Sequence, residues 1–367
     1  MEDVVQVFKA VLKKALEVEA SDAHLCVGSP WKYRIHGHVV PIKQLPALKP
    51  ADTEAIARHI LSVTSLVHPD NLDRYMFDLK DTDCSYSLPG VSRFRVNICR
   101  QRGTFSIVLR LIPFNVPTIE SLGLPEVVRT IAREERGLVL VTGITGSGKS
   151  TTLAAMIDEI NQSKPCKIVT IEDPLEYLHR ENMASIIQRE VGSDTESFGK
   201  ALRASLRQDP DIILVGEMRD RETIDIALKA AETGHLVLST LHTMDAPKTI
   251  QRIVSVFELS EQKTVRLRLA DSLIAVVSQR LLRRKDKVGR IAVLEVMRTT
   301  LTIKDFIENP DKEGSIKDFI ATGRDQYGMQ TFDQHLMELY RTDIIDFETA
   351  KSAATSAADF ERNVAFT

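Results

Sequence analysis

The 367-residue chain has no stretch that approaches the ~18 consecutive apolar residues a membrane-crossing helix needs. No segment repeats at a fixed period, and no tract is of low complexity. The four cysteines, Cys26, Cys84, Cys99 and Cys166, include no C-x-x-C pair, which excludes the paired-thiolate metal and redox motifs; they read as buried thiols. Net charge is almost absent: 48 Lys+Arg against 51 Asp+Glu leave −3, so bulk basicity does not drive the chain onto nucleic acid. Met1 to Ala20 interleaves Glu, Asp and Lys with apolar residues, unlike a signal peptide. What is present is ordinary: 43% hydrophobic and 27% charged residues exclude a disordered chain, and the length calls for about two domains.

Periodicity divides the chain. Val4, Val5, Phe8, Val11, Leu12, Ala15 and Leu16 predict an amphipathic helix over 2–19, and Asp52 to Val67 reads as another. Phe94, Val96 and Ile98 alternate with polar residues, as do Phe105, Ile107, Leu109 and Leu111 with Ser106, Val108 and Arg110, predicting two strands. Residues 1–111 therefore read as a small α+β domain. Ile112-Pro113-Phe114-Asn115-Val116-Pro117 reads as a linker, because two prolines favour an extended path.

Beyond it, short apolar runs (Leu138–Val141, Ile168–Ile171, Ile212–Val215, Leu236–Leu238) alternate with helical patterns from about Ser150, over Phe198–Arg207 and over Asp220–Glu232. Such runs suit strands buried on both faces, and the alternation predicts a parallel sheet with helical crossovers. Beyond about Ser260 the pattern reads as mostly helical, on the spacing of Leu267–Leu282 and Phe332–Leu339.

The strand Leu138–Val141 runs into Gly143-Ile144-Thr145-Gly146-Ser147-Gly148-Lys149-Ser150, the G-x-x-x-x-G-K-S phosphate loop in strand–loop–helix context. Its glycines let successive N–H groups turn inward as an anion nest, and the following helix adds its positive end. Lys149 can reach the β/γ phosphates and Ser150 can place its hydroxyl on Mg²⁺. Ile171 is followed by Glu172-Asp173-Pro174-Leu175-Glu176, carboxylates at a strand's carboxyl end that can hold a metal-bound water or accept its proton; they read alternatively as acidic residues opening a helix. After Val215 come Gly216 and Glu217, with glycine where many nucleotide hydrolases carry Asp. Glu217 then polarises water or supports Mg²⁺ by itself or through water. His235 and His242 flank the strand around Val237 and can sense phosphate or organise carboxylates. His36 and His38 sit two apart on an expected strand, facing one way with no third ligand, and read as surface residues.

Together Gly143–Ser150, Thr170–Glu176, Asp209–Asp220 and Thr233–Thr243 resemble the Walker A, Asp-box, atypical Walker B and His-box motifs of the secretion-ATPase superfamily. Ser21-Asp22-Ala23-His24-Leu25 resembles the S-D-x-H-L segment of that superfamily's N-terminal PAS-like domain, and the likeness runs from about residue 5 to 340. The resemblance implies an α/β protein: a PAS-like α+β domain (1–111), a linker (112–118) and a RecA-like P-loop ATPase core with a helical C-terminal region (119–367). It implies a homo-hexameric ring binding ATP and Mg²⁺ through Gly143, Thr145, Gly146, Ser147, Gly148, Lys149, Ser150, Thr151, Glu172 and Asp173, with Ser150 and Glu217 toward the metal. Glu217 matches the Walker B glutamate, Glu176 the Asp-box glutamate proposed as general base, and His235 and His242 the two His-box histidines. Arginines of an adjacent domain contact the nucleotide in the superfamily; Arg93, Arg95 and Arg110 are the candidates, and read equally as solvated strand-face charges.

Within the superfamily, Gly216-Glu217-Met218-Arg219-Asp220 and the length resemble the type IV pilus retraction ATPases. Extension ATPases carry a longer N-terminal region and a tetracysteine zinc insert. Ser315–Thr322 keeps the apolar spacing of the retraction ATPases' C-terminal motif but loses most of its charge pattern. The implied partner is an inner-membrane pilus platform protein, with a second retraction ATPase as a further one, and the implied place is the cytoplasmic face of the inner membrane. An accessory ATPase with poor turnover and a pilus-extension or type II secretion ATPase are alternatives. A nucleic-acid motor is the rival of another class; it would draw on the basic run Arg280-Leu281-Leu282-Arg283-Arg284-Lys285, which also reads as a solvated helix end.

Overall fold

The computed structural model describes residues 2–64, 66–112 and 115–365. They form two compact units. The first holds 1–115 and two later excursions, Asp173–Leu178 and Glu190–Glu196; the second holds the rest. Pro113 and Phe114 of the expected linker lie outside the described residues.

In the first unit, helix α1 (Glu2–Glu17) precedes strands β1 (Asp22–Cys26), β2 (Lys32–Ile35) and β3 (His38–Pro41). Helices α2 (Pro50–Ser62) and α3 (Leu72–Asp78) follow, then β4 (Asp81–Leu88), β5 (Ser92–Gln101) and β6 (Thr104–Leu111). The six strands form one antiparallel sheet in the order β3-β2-β1-β6-β5-β4. The alternation read in β5 and β6 is realised: Phe94, Val96, Ile98, Phe105, Ile107 and Leu109 are buried. They share a core with Phe8, Val11, Leu12 and Ala15 of α1 and Ile56, Ile60 and Leu61 of α2. Pro50 opens α2, where its missing N–H costs nothing, and the Asp52 carboxylate accepts from Lys49 N at 2.7 Å. That helix stops at Ser62, five residues short of the expected Val67.

His36 and His38 do not share a strand face. His36 and Gly37, at φ +49° and +84°, form the two-residue turn joining β2 to β3, and only His38 belongs to a strand. Two successive positive φ values are what a tight hairpin with strand-matched twist requires, and glycine at the second position supplies one without strain.

The second unit continues with α4 (Glu126–Ala132), β7 (Gly137–Thr142), α5 (Lys149–Ser163), β8 (Lys167–Glu172), β9 (Ser185–Glu190), α6 (Phe198–Ser205) and β10 (Ile212–Val215). Then come α7 (Arg221–Glu232), β11 (Leu236–Leu241), α8 (Ala246–Ser255), α9 (Leu259–Ser272), β12 (Leu273–Arg283) and β13 (Arg290–Arg298). Six further helices close the chain: α10 (Leu301–Glu308), α11 (Ile316–Thr322), α12 (Arg324–Tyr327), α13 (Phe332–Arg341), α14 (Phe347–Ala353) and α15 (Ala357–Ala365).

The sheet order is β13-β12-β7-β11-β10-β8-β9. Strands β12, β7, β11, β10 and β8 run parallel, and β13 is antiparallel to β12. Every residue of β7, β10 and β11 is buried, as expected of strands with helices on both faces. This is the α/β arrangement, a parallel sheet with helical crossovers, anticipated from the apolar runs.

A further expectation fails in this unit. Leu267–Leu282 is not helical throughout: α9 ends at Ser272 and the remainder is β12. Leu273-Ile274-Ala275-Val276-Val277 is apolar without alternation because β12 lies inside the sheet between β7 and β13. A strand covered on both faces and a buried helix leave the same trace in sequence. The helical C-terminal region therefore begins at α10, where α13 and α14 build a second core with Ile291 and Val293 of β13. The basic run is consequently a strand end. Arg280 lies 4.0 Å over the Phe332 ring and donates to the Ala353 carbonyl at 2.8 Å; Arg284 pairs with Asp286, and Lys285 with Asp343.

Candidate nucleotide site

In the second unit β7, β11 and β10 are neighbours, so their carboxyl ends lie side by side at about 4.8 Å spacing. Each delivers part of the site, at the edge where open α/β sheets place ligands.

From β7 the chain turns at Gly143 into a loop that ends at Gly148, the left-handed cap of α5. Gly143 has φ +146°, and a Cβ there would stand 2.4 Å from the Gln279 backbone oxygen; on Gly148, at φ +89°, it would stand 2.7 Å from Gln279 Nε2. Both positions therefore demand glycine on two counts. Lys149, the first helical residue, is 8% exposed, and its ammonium donates to the carbonyls of Gly143 at 2.9 Å and Ile144 at 3.2 Å. Burial lowers its pKa, while the nearby charge of Glu217 pulls the other way. Thr145 and Gly146 are exposed at the loop's crest, Ser147 is buried, and Ser150 is exposed in the first turn of α5 with Thr151 beside it half-buried.

From β10 come Gly216 and Glu217. Gly216 N donates to the Ile171 carbonyl at 2.7 Å, and its own carbonyl accepts from Thr240 Oγ1 at 2.7 Å. A Cβ on Gly216 would lie 3.2 Å from the Ile171 oxygen and 3.3 Å from Glu172 Cα, a tight fit against the backbone of β8. The carboxylate is supplied one residue later, by Glu217, which is largely buried. From β11 comes His242, whose Nε2 lies 3.0 Å from Glu217 Oε1. Arg219 makes a second ion pair with the same oxygen. Sequence spacing alone left open whether His242 would meet phosphate or carboxylate; the fold sets it on the carboxylate.

The other histidine is elsewhere. His235 precedes β11, so a six-residue strand of about 20 Å separates it from His242. It bonds the Ala230 carbonyl at 2.9 Å and Thr233 Oγ1, and its own carbonyl accepts from Gly137 N where β7 begins. Asp220, within the Walker-B-like segment, caps α7 by accepting from Thr223 N at 2.9 Å. Glu172 ends β8 and accepts from Thr170 Oγ1 at 2.8 Å.

Asp173, Glu176, Arg93, Arg95 and Arg110 belong to the first unit. Arg93 pairs with the buried Glu190 at 3.2 Å, and Glu190 also binds Ser85 and accepts from Leu175 N at 3.3 Å. Arg93 thus helps to anchor the segment that carries the exposed Glu176. Arg110 pairs with Asp22 at 3.0 Å. Arg95 and Asp173 line a small cavity of about 120 Å³ with Asp83, Cys84 and Glu190.

Three polar residues of the site carried no sequence signal of their own. Thr240 and Ser239 of β11 tie the end of β10 through its Gly216 and Val215 carbonyls. Gln279, which the helical reading of β12 hid, donates to the Ser147 carbonyl. No cluster of three or more His, Cys, Asp or Glu able to hold a metal occurs among the described residues. A Mg²⁺ ion held by one hydroxyl, one carboxylate and a nucleotide's own phosphates needs no such cluster, and the Ser150 hydroxyl and Glu217 carboxylate are oxygen donors of the kind it takes.

Residues 1–355 match the family model described as type II/IV secretion system protein. The chain is 46% identical over 341 residues to the type IV pilus retraction ATPase PilT of Pseudomonas aeruginosa, covering 93% of this chain and 96% of that protein. It is 39% identical over 352 residues to the type IV pilus ATPase PilU of the same organism, covering 96% and 90%. The crystal structure of the pilus retraction motor PilT with bound ADP superposes with a TM-score of 0.83 at 42% identity, covering 96% of this chain and 98% of that one. No described helix is long and apolar enough to cross a membrane. The family match spans residues 1–355, which take in the phosphate loop, the glycine–glutamate strand end and His242, and the chain belongs to the type II/IV secretion system protein family.

Proposed function

We propose that this chain is an ATP-hydrolysing motor that powers type IV pilus retraction, working as a ring hexamer against an inner-membrane platform protein. The observation that carries the reading is the 46% identity with PilT across 93% of the chain. The hexamer, the platform protein and the cytoplasmic location rest on the family resemblance of the sequence motifs.

The site's chemistry fits hydrolysis of a nucleoside triphosphate. The loop's N–H groups, the N-terminus of α5 and Lys149 stabilise charge on the phosphates. Glu217 orients the attacking water, and His242 at 3.0 Å fixes the carboxylate's direction. Glu176 is the second carboxylate proposed to take the water's proton. Ser150 and Glu217 would hold Mg²⁺, Glu217 through water; the ion would neutralise charge on the phosphate oxygens. Most of the catalysis is positioning and electrostatics, which this site supplies from three adjacent strand ends.

The 39% identity with PilU favours one second reading, an accessory retraction ATPase with little turnover of its own. Steady-state hydrolysis by the purified full chain supports the motor, and its absence supports the accessory. Direction of work is tested in cells: the gene is deleted and complemented with wild type or Lys149→Ala. Abundant surface pili without twitching in the Lys149→Ala strain are the expected result. Loss of pili would assign extension instead.

A further inference from the structure

Gln279 follows Ser278, which pairs with Thr142, the last residue of β7. It therefore lies beside Gly143, where β7 gives way to the phosphate loop. Its side chain is 3% exposed, and both ends are used: Nε2 donates to the Ser147 carbonyl at 2.7 Å, and Oε1 accepts from Thr152 Oγ1 at 2.7 Å. The Ser147 carbonyl has no hydrogen to give, so these partners set the amide's orientation. The nearest atom to a Cβ at Gly143 would be the Gln279 backbone oxygen, with Ser147 Oγ next, and at Gly148 it would be Gln279 Nε2, so Gln279 lies against the loop at its entry with its backbone and at its exit with its side chain.

A trans peptide holds its C=O and N–H on opposite sides of the chain. Fixing the Ser147 carbonyl toward β12 therefore turns the Gly148 N–H the other way, away from β12. The second arm, to Thr152 in the first turn of α5, ties that peptide to the helix whose N-terminus completes the anion nest. We propose that Gln279 is a positioning residue for nucleotide binding: by holding the Ser147 carbonyl it aims the Gly148 N–H at the phosphates. The inference rests on the nucleotide-binding reading above and adds to it a residue that never touches the ligand.

Two variants of the full chain test it. Gln279→Glu keeps the shape and the acceptor for Thr152 but sets an oxygen against the Ser147 carbonyl. Gln279→Met keeps the volume and removes both bonds. Titration with fluorescent ADP and steady-state ATP hydrolysis should show Kd for ADP and KM for ATP raised about tenfold or more, with kcat at saturating ATP within about threefold. A lowered melting temperature without nucleotide, alongside wild-type Kd and KM, would show that Gln279 merely packs the strand and overturns the proposal. Lys149→Ala measured in parallel separates the two levels. If it also binds ADP as wild type does, the phosphate-loop reading fails; if it alone loses ADP, only the Gln279 proposal fails. Wild-type protein supplies a measurement that no folding defect can spoil: ADP should protect the Gly148 amide from hydrogen exchange, and unchanged exchange there refutes the proposal.

Discussion

Replacing Glu295 by glutamine isolates a buried charge two strands from the phosphate loop. Glu295 lies on β13, 4% exposed, and its Oε1 accepts from the N–H of Ala246, the first residue of α8, at 2.9 Å. Burial pushes its carboxyl up to about 7; the neighbouring Asp245 adds to the rise, while the Ala246 bond, Lys317 and Arg280 oppose it. The folded state thus keeps a proton that the unfolded chain, with an ordinary value of 4.5, releases earlier. Between pH 4.5 and about 7 folded protein binds more protons than unfolded, so stability falls as pH rises through that window. At 1.36 kcal/mol per pH unit the whole fall is roughly 3 kcal/mol. For a unit of this size that is roughly 6–12 °C of melting temperature. Glutamine preserves the acceptor for Ala246 N and cannot ionise. Thermal melts of wild type and Glu295→Gln from pH 4.5 to 8 should start together and diverge, with the variant the more stable at pH 8. Parallel curves across the range would refute the reasoning, whatever their offset. The comparison must be between the two proteins, because His335 and His179, both held near 4 by burial, tilt both curves the opposite way below pH 6.5.

Glu217→Gln should bind ADP normally and hydrolyse ATP at least 100-fold more slowly; hydrolysis at the wild-type rate would remove Glu217 from the mechanism. His242→Ala should lower kcat as well, and by less in the Glu217→Gln background than in wild type, since the two residues act as a pair; fully additive losses would show them to be independent. Gly143→Ala should destabilise the second unit by several kcal/mol and abolish ADP binding, because its Cβ meets the backbone oxygen of Gln279 rather than a mobile side chain. Gly146→Ala meets nothing within 4 Å and carries only the strain of φ +78°, about 1–2 kcal/mol; equal melting temperatures for the two variants would contradict this contrast.

What the sequence determined by itself is local in physical origin. The phosphate loop needs glycines at particular dihedral angles, a lysine and a helix start within eight contiguous residues, so it announces itself without tertiary help. The apolar runs of β7, β8, β10 and β11 were legible for a similar reason: strands covered on both faces must be apolar along their length. The same logic misread β12, since burial on both faces erases the alternation that separates strand from helix. The tertiary structure alone decided how distant pieces meet. Glu217 and His242 pair because β10 and β11 are neighbours in the sheet, whereas His235 ends on the far edge because strand direction, not sequence proximity, sets where a flanking residue goes. Gly216 sits tight against the backbone of β8, a closeness that only the pairing of β10 with β8 creates. Gln279 lies 132 residues from the carbonyl it holds, and no periodicity encodes a contact made by one amide across two neighbouring strands.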